Sequence, residues 1–398
     1  MMNKFKNLKS FVLLGSMLFA NMLQAQERKA PAYPLITHNT YFSIWSNTDK
    51  LNESSTEHWT GAKQSLLGMI NVDGSIYQFL GKETVSYKTI VPSSDERAYQ
   101  VKYTETEPQG DWKALNYNAN DWKSGSAPIG DDSKTAKTLW KSHDIWVRRN
   151  FTVANPATIN ELFLKLNHDD NIEVFLNGKK IYTKEGWTND FQFIALSRND
   201  KSALLAGENV IAIHLLNTVG GRFLDFGLVE KEKDRSQSVQ LAKQKSVDVN
   251  ATQTIYNFSC GKVDLKLTFT SPLLMNDLGL LARPVSYVSY QVNANDNKTH
   301  QVKVYLSASS NIAVYRPSQP VVSSKYNTSK LSILKVGTVE QPILKKGADD
   351  MRIDWGYFYV ASPKSTNAIQ FVTPEKDAAD AFKKGNAAST AVKGNMLA

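Results

Sequence analysis

Cysteine is all but missing from this 398-residue chain, and the single Cys260 has no second cysteine with which to close an intrachain disulfide. An oxidising compartment is compatible with such a chain but adds no covalent staple to it. Histidine is scarce too: the six, at 38, 58, 143, 168, 214 and 300, never fall at metal-ligand spacing. There is no His-Glu-x-x-His helix, no Gly-x-Ser-x-Gly elbow and no phosphate loop, which removes the zincin, hydrolase-elbow and nucleotide-loop chemistries. Cys260, in "YNFSCGKVDL", lacks an evident base and reads as a structural thiol. His214, inside "VIAIHLLN", reads as a satisfied structural histidine. Acids are plentiful, yet glycosidase work needs two of them facing across a cleft, and spacing along the chain assigns no such pair. No catalytic residue, cofactor or metal is therefore expected.

Charge of one sign is not concentrated either. The formal net charge is +9, but basic runs such as Lys345–Lys346 and Lys383–Lys384 are short and lysines alternate with acids. A nucleic-acid partner would need a patch or stripe, so none is expected. Long apolar runs are confined to the start, where Lys4, Lys6 and Lys9 precede "FVLLGSMLFANML" and then "QAQ". This order of charge, short apolar core and small residues is that of a secretory signal over residues 1–26, and the core is shorter than the ~20 residues of a membrane span. A bacterial periplasmic or secreted location is expected, with no membrane span after signal removal.

What is present is β-strand pattern. Alternation is clear in "IWVRRNFTV", "LFLKL", "IEVFL", "ENVIAIHLLNT" and "GRFLDFGLV", with an Asn-Gly hairpin signal in "LNGKKI", as expected of a sandwich or jelly roll. A second β-rich stretch contains "QTIYNF", "KVDLKLTFTS", "VSYVSYQV", "HQVKVYLSAS" and "FYVAS". "GMINVDGSIYQFLG" predicts a hairpin turning at Asp73-Gly74, and "TPEKDAADAFKKG" a short helix, with Thr373 as cap and Pro374 at its first position. The expected fold is all-β: sandwich and jelly-roll domains, an N-terminal hairpin segment packing on the C-terminal sandwich, and a short C-terminal helix. Seven of eight tryptophans lie between Trp45 and Trp187, which marks domains of different character. The expected division is a signal at 1–26, an N-terminal β segment at 27–99, a jelly roll at 100–232 and a central sandwich at 233–398, expected to be truncated.

Three stretches offer binding residues. Trp187, in the polar loop "KEGWTNDFQ", either stacks on a sugar ring or covers an end of the sandwich. Asp169 and Asp170, in "NHDDNIEVF", make a turn through Asx chemistry or supply oxygens to calcium, though without EF-hand spacing. Trp45 and Trp59, with Tyr41, form either an aromatic surface for a sugar or, as the first reading, anchors at an interface. His58 has no second histidine nearby.

"PAYPLITHNTYFSIWSNTDKLNESSTEHWTGAKQSLLGMINVDGSIYQFLG", with "TQTIYNFSCGKVDLKLTFTSPLLMNDLGLLARPVSYVSYQV" and "DDMRIDWGYFYVASP", resembles the amino-terminal and central β-rich regions of the glutaminase A family, over about residues 31–81 and 250–362. Between them, "DWKALNYNANDWKSGSAPIGDD", "WVRRNFTV", "DDNIEVFLNG" and "GENVIAIHLLN" resemble a galactose-binding-like jelly roll. The resemblance implies the non-catalytic accessory region of a secreted amidohydrolase that converts L-glutamine to L-glutamate and ammonia. Its implied partners are a C-terminal helical domain of the same chain, absent from this sequence, and a glycan. The alternative is a carbohydrate-binding protein or a module of a polysaccharide-degrading system.

Overall fold

The computed structural model describes residues 29–83, 85, 87–133, 135–188, 190–232, 239–317, 319–345, 347, 351–385 and 394–398. The expected signal, 1–26, lies outside them. The described residues are all-β with short helices. They divide into two compact units, one gathering residues up to Lys82, Val239–Ile312 and Lys346–Arg352, the other Glu83–Ser238, Ala313–Lys345 and Ile353–Ala398.

The first unit opens with β1 (Tyr33–Asn39) and β2 (Phe42–Ser46), an antiparallel pair, followed by β3 (Leu66–Val72) and β4 (Ser75–Leu80). The β3–β4 hairpin turns at Asp73 and Gly74, with φ of 50° and 90°, the left-handed pair that an Asp-Gly sequence supplies most readily.

The second unit begins as the jelly roll. Its strands are β5 (Tyr87–Val91), β6 (Gln100–Thr104), β7 (Lys123–Ser126), β8 (Ile129–Gly130), β9 (Thr138–Leu139), β10 (Asp144–Val153), β11 (Leu162–Asp169), β12 (Asn171–Leu176), β13 (Lys179–Lys184) and β14 (Gln192–Ala195). One turn of helix, α1 (Arg198–Lys201), precedes β15 (Gly207–Leu216) and β16 (Phe223–Lys231). One sheet runs β13-β12-β15-β10-β6-β7; the other runs β14-β11-β16-β8-β9, with β5 also on β16. Ile145, Val147, Leu164, Leu166, Ile211, Ile213, Phe226 and Leu228 fill the space between them. Each such side chain contributes about 1.5–3 kcal/mol by leaving water. Polar links run both on the outer faces and between the sheets. Trp146 stacks on His214 at 4.8 Å, and His214 Nε2 reaches Asp144 Oδ1 at 2.7 Å, so His214 is satisfied structurally. The Arg149 guanidinium lies 3.5 Å from the Tyr99 ring centroid and donates to Phe226 O at 2.9 Å. Lys165 Nζ, on β11, lies 2.7 Å from both Asp95 and Glu96.

The chain returns to the first unit with β17 (Gln240–Leu241), β18 (Lys243–Val249), β19 (Gln253–Cys260), β20 (Val263–Thr270), the single turn α2 (Leu278–Leu281), β21 (Tyr287–Ala294) and β22 (Val302–Ser309). There β4, β3 and β22 are neighbours, with β17 outside β4, and β18-β19-β20-β21 form a second sheet. Along β19 every second residue is buried, as its alternation predicts. The N-terminal segment packs on this sheet: Tyr33 meets Tyr256, Phe79 meets Phe258, and Thr254 Oγ1 donates to Pro34 O at 2.6 Å. Cys260 is buried, and burial raises its thiol to about 12, so it stays protonated and inert.

The rest of the second unit is β23 (Val321–Asn327), β24 (Leu331–Thr338) and β25 (Phe358–Pro363) in one antiparallel sheet, then β26 (Val372–Thr373), α3 (Glu375–Lys383) and β27 (Met396–Leu397). The C-terminal helix is present but starts one residue later than its sequence suggests. Thr373 pairs with Met396 in a strand, and Pro374 stands at the N-cap without a side-chain bond.

Two outcomes follow from packing in the first unit. Gly81 has φ +69°, and a Cβ there would fall 1.9 Å from Leu66 O. Gly81→Ala is expected to destabilise the chain by about 2–4 kcal/mol in urea unfolding; a change below about 0.5 kcal/mol would refute this account of the close approach. His300 bridges Asp296 at 2.8 Å and Asp73 at 2.6 Å, and these hydrogen bonds, Asp296 first, raise its pKa above the ordinary 6.5. Its contribution to stability is therefore complete below 6.5 and lost as pH rises through the folded value. An NMR titration of its ring protons should give a midpoint above 6.5 that Asp296→Asn lowers; an ordinary midpoint would mean the bridge does not form.

Candidate functional site

One end of the jelly roll is built around a corner. Because β11 and β12 belong to different sheets, Asp169 and Asp170 carry the chain across the sandwich. Asp170 is 2% exposed, and its Oδ2 accepts from Thr218 N at 2.9 Å, Thr218 Oγ1 at 2.7 Å and Val219 N at 3.0 Å. Burial alone would raise this carboxyl. The Thr218 hydroxyl and the Val219 and Thr218 amides bind the ionised form more strongly and bring it down to about 2. Asp170 is thus spent on holding the loop after β15.

Asp169 is in a different state. It stays partly exposed, and burial, then its hydrogen bond to Asp170, then the Asp170 and Asp131 charges push its carboxyl up to about 7 against the pull of Arg222. Near neutral pH the pair shares one proton in the hydrogen bond from Asp169 to Asp170, so what Asp169 offers a hydroxyl is an acceptor oxygen. Arg222 is braced beside it: Nη1 is 3.5 Å from Asp131 Oδ2, and Nε donates to Ser142 O at 3.2 Å. With its amide turned to satisfy both neighbours, Asn217 donates to Gly221 O at 2.8 Å and accepts from Arg222 Nη2 at 3.2 Å. The loop comes so close that a Cβ at residue 221 would lie 3.2 Å from Asp169 Oδ2.

The β13–β14 loop reaches the same corner. Gly186 N donates to Asn171 Oδ1 at 2.7 Å, Thr188 N to His168 O at 2.8 Å and Thr188 Oγ1 to Asn167 Oδ1 at 3.0 Å. Trp187 sits between these tethered residues with 59% of its surface exposed. Beneath, the fully buried His168 donates from Nδ1 to Asp170 O at 2.6 Å, and its Nε2 has no hydrogen-bond partner. Burial lowers its pKa, so the ring is neutral. An exposed indole beside a fixed set of donors and acceptors can stack the apolar face of a ring and hydrogen-bond its rim.

The structure therefore brings Trp187, Asp169 and Asp170 together, with unequal parts: Asp170 holds the loop and Asp169 faces outward. Arg222, Asp131 and Thr218 join them without having been singled out in the sequence. The only signal was "NTVGGR", a Gly-Gly loop next to an arginine. Trp45 and Trp59 lie in the other unit. Trp45 is half-buried, with Nε1 donating to Ser43 Oγ at 3.1 Å, while Trp59 is 52% exposed, with Nε1 donating to Thr40 O at 2.6 Å. The buried His58 reaches the same carbonyl through Nε2 at 3.1 Å. Among the described residues no group of three or more His, Cys, Asp or Glu has metal-holding geometry, and no helix is long and apolar enough to cross a membrane.

Two family models match parts of the chain, each described as a domain of unknown function: DUF4964 over residues 15–92 and DUF5127 over residues 252–396. No curated protein matches it. Among solved structures it is similar to β-glucuronidase 2 of Bacteroides uniformis, at 12% identity and a TM-score of 0.31, covering 70% of this chain and 32% of that one. A glycoside hydrolase family 2 member from Bacteroides cellulosilyticus gives 12%, 0.29, 71% and 37% in the same order, and a Lactobacillus rhamnosus β-glucuronidase 14%, 0.29, 71% and 45%. The chain spans less than half the length of each, and likenesses of this size name no activity for it. The resemblance to the glutaminase A family is corrected here: the neighbours named are two β-glucuronidases and a glycoside hydrolase family 2 member, none a glutaminase. The accessory role in glutamine hydrolysis falls with it. The passages that carried the resemblance are an aromatic hairpin and alternating strands, which report a sandwich rather than a reaction.

Asp169 yields a signed outcome. Its folded value, about 7, stands above the ordinary 3.8, so the folded chain keeps a proton that the unfolded chain releases, and stability falls as pH rises between those values. Asp169→Asn removes this term. Urea midpoints should show the variant gaining on the parent from pH 4 to pH 8; a difference that does not vary with pH would sink the assignment.

Proposed function

We propose that this chain is an exported carbohydrate-binding protein, or a module of a polysaccharide-degrading system, and that the corner of its jelly roll contacts a glycan. One observation carries the reading: the exposed Trp187 is tethered on both sides to the turn that bears Asp169 and Asp170, next to Arg222. The indole supplies a face for a pyranose ring, Asp169 an acceptor oxygen for a hydroxyl, and Arg222 a donor. Export is supported by the charged and apolar pattern of residues 1–26.

The role is binding rather than bond cleavage. Glycosidase carboxyls stand ~5–9.5 Å apart so that a sugar, or a sugar and a water, fits between them. Asp169 and Asp170 are hydrogen-bonded to each other, and Asp170 is fully engaged by Thr218 and Val219. No room is left for a scissile bond.

Glycan-array screening followed by calorimetry on the whole chain tests this. Trp187→Ala should weaken at least one of the glycans found about tenfold, worth about 1.4 kcal/mol, with little change in thermal stability because the ring is exposed. Absence of binding to any glycan, or no glycan whose binding depends on Trp187, would overturn the reading.

A further inference from the structure

The first unit carries an aromatic groove of about 500 Å³ where β1 turns into β2, lined by Thr37, His38, Asn39, Ser43, Trp45 and Trp59 among others. We infer that it is a second carbohydrate subsite, separate from the jelly-roll corner, which stacks a neutral pyranose ring on Trp59 and Trp45. Its volume falls in the ~300–1,000 Å³ range of small-molecule sites, and its make-up, mostly apolar with a few polar groups, is theirs as well.

Both indoles are fixed before any ligand arrives. Trp59 Nε1 donates to Thr40 O at 2.6 Å and Trp45 Nε1 to Ser43 Oγ at 3.1 Å. Their N–H groups are thus used internally, and what remains for a ligand is ring face, of which Trp59 keeps 52% in water. The carbonyl that holds Trp59 also accepts from the buried His58 at 3.1 Å, so the platform is braced from beneath and loses little freedom on binding. His38 supplies the polar rim. Its ring stacks on Phe42 at 5.6 Å, burial lowers its pKa, and with Nε2 3.4 Å from Ser286 Oγ it is Nδ1 that can meet a sugar hydroxyl. Among the described residues none that lines the groove is charged, so its walls offer a uronate no ion pair. This selects a neutral hexose.

The test uses the full chain, neutral hexaoses of glucose, mannose and galactose, a glucuronic-acid hexaose, and an apolar dye as the probe for a merely greasy groove. Trp59→Ala should weaken the best neutral hexaose at least about tenfold, Trp59→Phe, which keeps a ring face, should retain it within about threefold, and Trp187→Ala should leave this isotherm unchanged. Thr40→Trp, which fills the groove and leaves the Thr40 carbonyl in place, should abolish binding and keeps the test decisive if Trp59→Ala does not fold. Binding that survives both Trp59→Ala and Thr40→Trp, binding lost only in Trp187→Ala, a preference for the acidic sugar or the dye, or no hexaose binding at all would each overturn the proposal.

Discussion

One end of the jelly roll depends on one buried carboxylate. Asp170 accepts three hydrogen bonds from Thr218 and Val219 and in doing so joins the corner between β11 and β12 to the loop between β15 and β16. Removing one partner of such a set leaves a buried group unsatisfied, which costs more than the net worth of the bonds themselves. Because Asp170 must be ionised to accept all three, its neighbour cannot easily be ionised as well. Burial raises the Asp169 carboxyl most, and the ionised Asp170 that holds the loop raises it further.

The same economy recurs deeper in the jelly roll. Asp225, 2% exposed, accepts from Ser94 N at 3.1 Å and Tyr99 Oη at 3.0 Å, and Arg149 lies over the Tyr99 ring. Next to Ser94, Asp95 and Glu96 neutralise the buried Lys165. A lone buried charge would be expelled or neutralised, so each of these residues requires the others. Together they pin the segment between β5 and β6 to the sheet that holds β11 and β16.

Much of this fold was legible in the chain. Alternation in "LFLKL" and "IEVFL", the Asn-Gly and Asp-Gly turns and the acid-first, lysine-last helix are local statements, and local sterics and burial decide them. Even here the context intervened: pairing of Thr373 with Met396 moved the helix start by one residue. The site was legible only in outline. Trp187 stood out as an indole in a polar loop, and the two aspartates as a turn. Nothing along the chain distinguished Asp169 from Asp170, because they differ only in which one faces Thr218. Arg222 lies more than fifty residues downstream of them and joins the site because β16 pairs with β11.

What the sequence determined by itself was the longer alternating strands, the Asn-Gly and Asp-Gly turns and the absence of an intrachain disulfide, since these depend on side-chain period, backbone freedom and residue type. What only the tertiary structure decided was proximity. It set which acid is buried and which titrates near neutrality, that the loop bearing Trp187 is tied to that corner, and that Trp45 and Trp59 border a groove. Each of these depends on hydrogen bonds between loops far apart in the chain, and on burial, which no residue possesses until the sheets have closed around it.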